Sequence, residues 1–268
     1  MDKLRFQSMG SGSSGNCYFI GNASYGILID AGIGVRTIRK NLRNIGLDFH
    51  NIMAVFVTHD HADHIRAIGS LGERYKIPVY ATRLTHEGVQ RSYCVTEKLH
   101  TSRKYIEKFE TVQIRDFNVT AFPVSHDATD NVGYKVCYKE KIFTFATDLG
   151  HVCENAAENL KVADYMVLEA NYDHDMLQNG PYPVHLKERI RNGKGHLCNT
   201  QTAGFLSENY SEKMKYVFLC HLSRENNSHE KAFETIADSL AQKNIKVGED
   251  IQLVVLDRYS PSELYVFE

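Results

Sequence analysis

The 268-residue chain is 43% hydrophobic, 10% aromatic and 24% charged, the make-up of an ordinary globular protein and enough chain for one large domain. That supply of Leu, Ile, Val and Phe excludes disorder, and no run approaches the ~18 uninterrupted apolar residues of a membrane span. With 31 Lys+Arg against 33 Asp+Glu and a net charge of −2, a globally basic nucleic-acid binder is excluded; any such partner must be met by a local patch. The start, MDKLRFQSMGSGSSGN, has no apolar core of a secretory signal. The six cysteines include no C-x-x-C pair, which fits reduced thiols in a cytoplasm better than a disulfide framework.

Short apolar runs alternate with helical patterns from end to end, without repeats or low-complexity linkers. In chain order the predicted strands are 4–7, 17–20, 26–29, 53–57, 79–81, 112–114, 119–124, 133–138, 142–146, 165–168, 216–220, 252–256 and 264–267. Val35, Ile38, Leu42 and Ile45 recur at spacings of three and four and predict a helix over 35–45. Further helices are predicted over 63–72, 82–91, 184–191 and 199–208. The last, over 228–242, would bury Phe233, Ile236, Ala237 and Leu240. Asn227 followed three residues later by Glu230 suggests a capping box at its start. These elements suggest a mixed-sheet sandwich flanked by helices, residues 1–268 forming one domain.

Two motifs stand out. Gly10, Gly12 and Gly15 spell G-x-G-x-x-G after a strand, with Asp30 downstream, but Asn-Cys-Tyr-Phe-Ile follows and reads as a second strand. Without a helix N-terminus there is no row of free amides for a pyrophosphate, so the glycines predict a hairpin turn and no nucleotide cofactor. The second motif is Thr58-His-Asp-His-Ala-Asp-His64, directly after the apolar run Met53–Val57. Three imidazoles and a carboxylate in six residues supply the nitrogen and oxygen donors of a metal site. Other apolar strands finish in the same way: 119–124 leads into His126, 142–147 into Asp148, and 216–220 into His221. One such His is more often structural than functional, but several strand ends with one pattern point to a shared ion site.

On these residues the chain resembles the metallo-β-lactamase superfamily. The resemblance implies an αββα fold, a sandwich of two mixed β-sheets flanked by helices, with two metal ions at one edge. It places His59, His61 and His126 on the first ion, Asp63, His64 and His221 on the second, and Asp148 between them. Asp30 matches the buried aspartate that supports such sites. The all-nitrogen-and-oxygen donor set suits Zn²⁺ or Mn²⁺, and also Fe. Glu169 and His196 look like the Glu-Ala and His segments of the RNase Z group, where the His faces the reacting phosphate and binds no metal.

Similarity to the YycJ/WalJ group of bacterial proteins runs nearly full length. It is carried by Ser11–Asn16, Thr58–His64, Ser125–Ala128, Val132–Tyr134, Gly180–Pro183 and His221–Asn226. Asn131 and Cys198 stand where that pattern has Pro and Ser. The resemblance implies a metal-dependent 5′→3′ exonuclease acting on DNA rather than RNA, with a role in mismatch repair. Asp63 and His196 would be its catalytic groups. Lys187, Arg189, Arg191, Lys194 and Arg224 supply cations suited to a phosphate backbone, although a solvated helix face would use the same residues. A thioesterase or lactonase of the glyoxalase-II type would use the same metal donors. A metal-bound regulator without activity is the remaining alternative, and the intact donor set speaks against it.

Overall fold

The computed structural model describes residues 3–267. In chain order the elements are β1 (Leu4–Gly10), β2 (Cys17–Gly21), β3 (Gly26–Ile29), α1 (Val35–Asn44), β4 (Ile52–Phe56), α2 (Ala62–Ile65), β5 (Val79–Ala81), α3 (Arg83–Arg91), β6 (Arg103–Tyr105) and β7 (Thr111–Ile114). They continue as β8 (Phe117–Pro123), β9 (Val132–Tyr138), β10 (Lys141–Ala146), α4 (Glu154–Lys161), β11 (Tyr165–Glu169), α5 (His174–Asn179), α6 (Val184–Arg191) and α7 (Asn199–Asn209). β12 (Tyr216–Cys220), α8 (His229–Ala241), β13 (Gln252–Val255) and β14 (Tyr265–Phe267) complete the chain. The strands form two seven-stranded sheets, ordered β14-β1-β2-β3-β4-β5-β6 and β13-β12-β11-β10-β9-β8-β7. Both are mixed, as expected. β1, β2 and β3 pair antiparallel and β3 to β6 parallel; β8, β9 and β10 pair antiparallel and β10 to β13 parallel.

The contacts divide the chain into two compact units. One comprises the residues up to Arg115, with Ala128–Asp130 and the segment from Asp257; the other comprises Asp116–Asp127 and Asn131–Leu256. In the first unit, Phe19, Leu28, Val55 and Val79 of successive strands pack with Ile38 and Leu42 of α1 and with Ile65 and Leu71. In the second, Phe122, Met166, Leu168, Val217 and Leu219 pack with Leu160 of α4, Leu206 of α7, and Ile236 and Leu240 of α8. The parallel strands β3 and β11 are buried along their whole length, which explains why they read as continuous apolar runs. Every strand expected from the sequence is present within a few residues, and β1–β2 is the antiparallel hairpin expected around Gly10–Gly15.

Three expectations need correction. The helix over 63–72 is interrupted rather than continuous: α2 ends at Ile65, residues 66–67 form a turn, and helical residues 68–69 lead into a π-helix over Ser70–Arg74. The carbonyls that would continue the ladder are taken elsewhere: Asp63 O accepts from Asn16 N at 2.7 Å and His64 O from Ala31 N at 2.9 Å. At α8 the cap is Ser228, whose hydroxyl accepts from Lys231 N, while Asn227 turns inward to donate to the Ala170 and Asn171 carbonyls. Phe233 is 38% exposed, because the buried stripe of α8 runs through Ala232, Ile236 and Leu240 at spacings of four. Unforeseen are β6, α4 and α5. α4 buries only Ala156 and Leu160, too sparse a pattern to announce a helix.

Candidate metal centre

In the first unit the donors follow β4. Its chain leaves the sheet at Val57, and His59, His61, Asp63 and His64 fall within six residues, the last two inside α2. His59 and His64 are buried, and the His59 ring centroid lies 4.6 Å from that of His61 and 4.0 Å from that of His64. Asp30, just past β3, is fully buried and anchors the group. Its carboxylate accepts from Thr58 N at 2.8 Å, from the Thr58 hydroxyl at 2.9 Å and from His64 Nδ1 at 2.7 Å. Burial pushes the Asp30 carboxyl up, opposed by His64 and Thr58. Asp30 adopts φ 57°, a left-handed conformation that costs a non-glycine residue about 1–2 kcal/mol. The backbone around it supplies the restraint: Asp30 N donates to Phe56 O and Ala31 N to His64 O. Gly32 completes the contact, since a Cβ there would stand 1.6 Å from Asp63 O.

The rings have the protonation pattern a metal requires. Asp30 takes the Nδ1 proton of His64, leaving Nε2 as the ring's lone-pair nitrogen. The single Thr58 hydroxyl proton is directed at Asp30, so His59 Nδ1, 3.0 Å from that oxygen, donates to it and its Nε2 is likewise the basic nitrogen. Asn16 braces the same loop, its Nδ2 lying 3.2 Å from Asp63 Oδ2 and 2.9 Å from His64 Nε2. Its Oδ1 accepts from Gly12 N and Tyr18 OH. The Gly-rich hairpin thus serves to position Asn16.

In the second unit each donor again sits at a strand end or in the loop beside one. His126 follows β8, Asp148 follows β10, Glu169 ends β11 and His221 follows β12, while His196 lies between α6 and α7. One donor atom from each of Asp148, Glu169, His196 and His221 lies within 4.8 Å of the others. Asp148 Oδ1 is 3.5 Å from His221 Nδ1, 3.8 Å from His126 Nε2 and 4.0 Å from His196 Nδ1. His126 Nδ1 meets the Gly195 carbonyl at 2.8 Å; a carbonyl can only accept, so Nε2 is the lone-pair nitrogen here too. His221, like Asp30, is left-handed at φ 55°, and Asn171 Nδ2 donates to its carbonyl at 2.6 Å.

Glu169 is the hub of this set. It is fully buried; its Oε2 accepts from Leu149 N and Leu197 N, and its Oε1 lies 2.6 Å from His196 Nδ1 and 3.2 Å from His221 Nδ1. Burial pushes its carboxyl up, but His196 and His221 more than offset that, and the net direction is down. The Gly195 backbone makes the approach possible, because a Cβ there would lie 2.2 Å from the Arg189 and Ile190 carbonyls. Four of the five cations singled out from the sequence are engaged with protein acceptors. Arg189 forks onto Asp127 at 2.6 and 3.1 Å, Lys187 reaches the Gln178 carbonyl, Arg191 the Gln178 side chain and Arg224 Glu225. Lys194 lies just before Gly195, its backbone amide bonded to Asn192.

Sequence reasoning missed the asparagines that hold both sets: Asn16 in the first unit, and Asn171, Asn199 and Asn227 in the second. Asn199 and Asn227 pair at 2.8–2.9 Å under the chain leaving β11. Isolated amides carry no periodic signal. Only Asn171 was marked by position, two residues beyond Glu169 at the end of β11.

Residues 25–216 match the beta-lactamase superfamily domain. Exodeoxyribonuclease YycJ of Bacillus anthracis is 30% identical over 262 residues, covering 97% of this chain and 98% of that protein. Exodeoxyribonuclease WalJ of Streptococcus pneumoniae is 33% identical over 251 residues, 93% of each chain. Among solved structures, the metallo-beta-lactamase fold protein YhfI from Bacillus subtilis superposes with a TM-score of 0.72 at 14% identity, covering 99% of this chain and all of that one. With imidazoles and carboxylates gathered at strand ends and in the loops beside them in both units, the chain belongs to the metallo-β-lactamase superfamily.

Proposed function

We propose that the protein is a metal-dependent exonuclease that hydrolyses DNA phosphodiester bonds in the 5′→3′ direction and serves mismatch repair in the cytoplasm. Two divalent ions, Zn²⁺ or Mn²⁺, complete it. His59, His61 and His126 would hold one, Asp63, His64 and His221 the other, with Asp148 shared. When bound, such a pair lowers the pKa of water towards neutrality and stabilises charge on the phosphoryl oxygens. Asp63, steadied by Asn16 at 3.2 Å, orients the attacking water and takes its proton. His196 presents Nε2 to the leaving oxygen and supplies its proton, while Glu169 fixes the ring through Nδ1. Lys187, Arg189, Arg191, Lys194 and Arg224 bear on the strand's phosphates, Arg189 after exchanging Asp127 for phosphate.

One observation carries the phosphodiester reading: the 2.6 Å His196–Glu169 pair beside Asp148. It supplies an imidazole beyond the donors that acyl hydrolysis of the glyoxalase-II type needs. The names of the YycJ and WalJ relatives support the choice of DNA. The test is hydrolysis of 5′-labelled and 3′-labelled DNA, with RNA of the same sequence beside it, by protein loaded with Mn²⁺ or Zn²⁺. Release of short products from the 5′ end of DNA supports the reading. Preferential RNA cleavage, or release from the 3′ end, would replace it.

A further inference from the structure

The first unit contains a second concave site, lined by none of the metal donors. The face of α3 bearing Arg83, His86, Glu87, Gln90 and Arg91 and the edge strand β6 with Arg103 and Tyr105 line a cavity of about 450 Å³. Three arginines oppose one glutamate there. The Arg83 guanidinium lies 4.9 Å from the Tyr105 ring centroid, and the His86 ring meets the same tyrosine edge-on at 5.4 Å. Stacking fixes one guanidinium over an aromatic plane. Arg103 is tied to the Leu99 carbonyl at 2.7 Å and to Gln90 at 3.4 Å, while its Nε is buried with no acceptor among the described residues. His86 is 98% buried and its Nε2 meets the Lys104 carbonyl. Burial drives it down to about 4, so near neutral pH it forms a neutral wall and the arginines alone set the charge. Arg83, His86, Gln90 and Arg91 recur at helical spacing, and Arg103 and Tyr105 lie two apart on one face of their strand, so a single ligand would touch both elements.

We propose that this cleft is a strand-binding exosite, in which Arg83, Arg91 and Arg103 grip phosphodiesters of the DNA at a distance from the bond being cleaved. The proposal rests on the nuclease reading for its ligand but not for its test. Arginine forks match phosphate oxygens, and a tyrosine beside them offers a base a stacking surface. The experiment measures fluorescence anisotropy of a fluorescein-labelled, phosphorothioate-linked thymidine oligomer with metal-loaded protein across a salt series. Wild type is compared with Arg83→Gln/Arg91→Gln. Each lost phosphate contact removes ~0.7 from the slope of log affinity against log salt for a single strand. The double variant should therefore lose about 1.4 of slope and bind about tenfold more weakly or worse. Its KM for DNA should rise while turnover of a p-nitrophenyl ester of thymidine 5′-monophosphate stays unchanged. Should the double variant melt lower than wild type, Arg91→Gln alone should remove half of that slope. Unchanged affinity and slope would overturn the exosite. So would equally tight binding of inorganic phosphate, which would mark a small-anion pocket. If the oligomer binds through these arginines but normal DNA is not cleaved, the exosite stands and the nuclease reading falls. Cleavage with an unchanged KM in the double variant has the opposite meaning.

Discussion

At the scale of single residues, the proposal draws the leaving-group proton from a side chain that would hold no ion. His196 is held by Glu169 and is assigned no ion, so His196→Ala should keep its metal content and melting temperature while DNA cleavage falls by about 10²–10⁴, the usual cost of losing a general acid. Glu169→Gln should show a smaller loss of the same kind, because the amide still holds the ring but carries no charge. Metal analysis, a thermal melt and rates per metal-loaded chain check both; full activity in His196→Ala would remove the assignment. Gly32 makes a different statement. Its missing Cβ lets Asp63 O approach, so Gly32→Ala should destabilise by about 3 kcal/mol or displace Asp63 and His64. A denaturant melt together with metal stoichiometry reads both outcomes. Asp30 was marked only by the resemblance to the superfamily, whereas the clustered His and Asp side chains were legible because residue type and spacing report them directly. Asn16 and Asn171 were not, because their value lies in what the fold brings beside them.

Elements carry the donors, and the grammar of strand then polar residue held at the ends of β4, β8, β10 and β12. β4, β10 and β12 announced themselves as apolar runs ending in His or Asp. β6 did not, being an edge strand of three residues with two exposed. It is fixed instead by Glu73, whose carboxylate accepts from His100 N, Thr101 N and Ser102 N and from the Thr101 and Ser102 hydroxyls. Those bonds, led by the Ser102 hydroxyl, hold its carboxyl down at about 2, against an ordinary 4.5. Because the folded value is the lower one, this contribution is complete above pH 4.5 and disappears as pH falls from there to about 2. Wild type should therefore melt higher than Glu73→Gln at pH 6, and the gap should close by pH 2. A gap that persists at low pH would mean the loop is held by something else. The helix interrupted after Ile65 makes the complementary point. Its side-chain pattern promised unbroken turns, but the Asp63 and His64 carbonyls are bonded to the neighbouring hairpin and loop, and the helix resumes only at residue 68.

Over the whole molecule, neither compact unit is a continuous stretch of chain: the backbone passes from one to the other after Arg115, Asp127, Asp130 and Leu256. Because each unit is assembled from separated segments of chain, residues 1–268 should unfold as one cooperative domain. Calorimetry should give one transition with equal calorimetric and van't Hoff enthalpies, and two resolved transitions would separate the units. No helix among the described residues is long and apolar enough to cross a membrane, and the six cysteines form no disulfide among the described residues. The sheet architecture was legible because each buried strand repeats one pattern, whereas the division into units depends on contacts between residues far apart in sequence. The central claim concerns which bond is broken. The most direct measurement compares turnover of end-labelled DNA with turnover of a glutathione thioester, per metal-loaded chain, for wild type and His196→Ala. The expected result is DNA cleavage by wild type, lost in His196→Ala, with negligible thioester hydrolysis by either; rapid thioester turnover with the DNA left intact would contradict it.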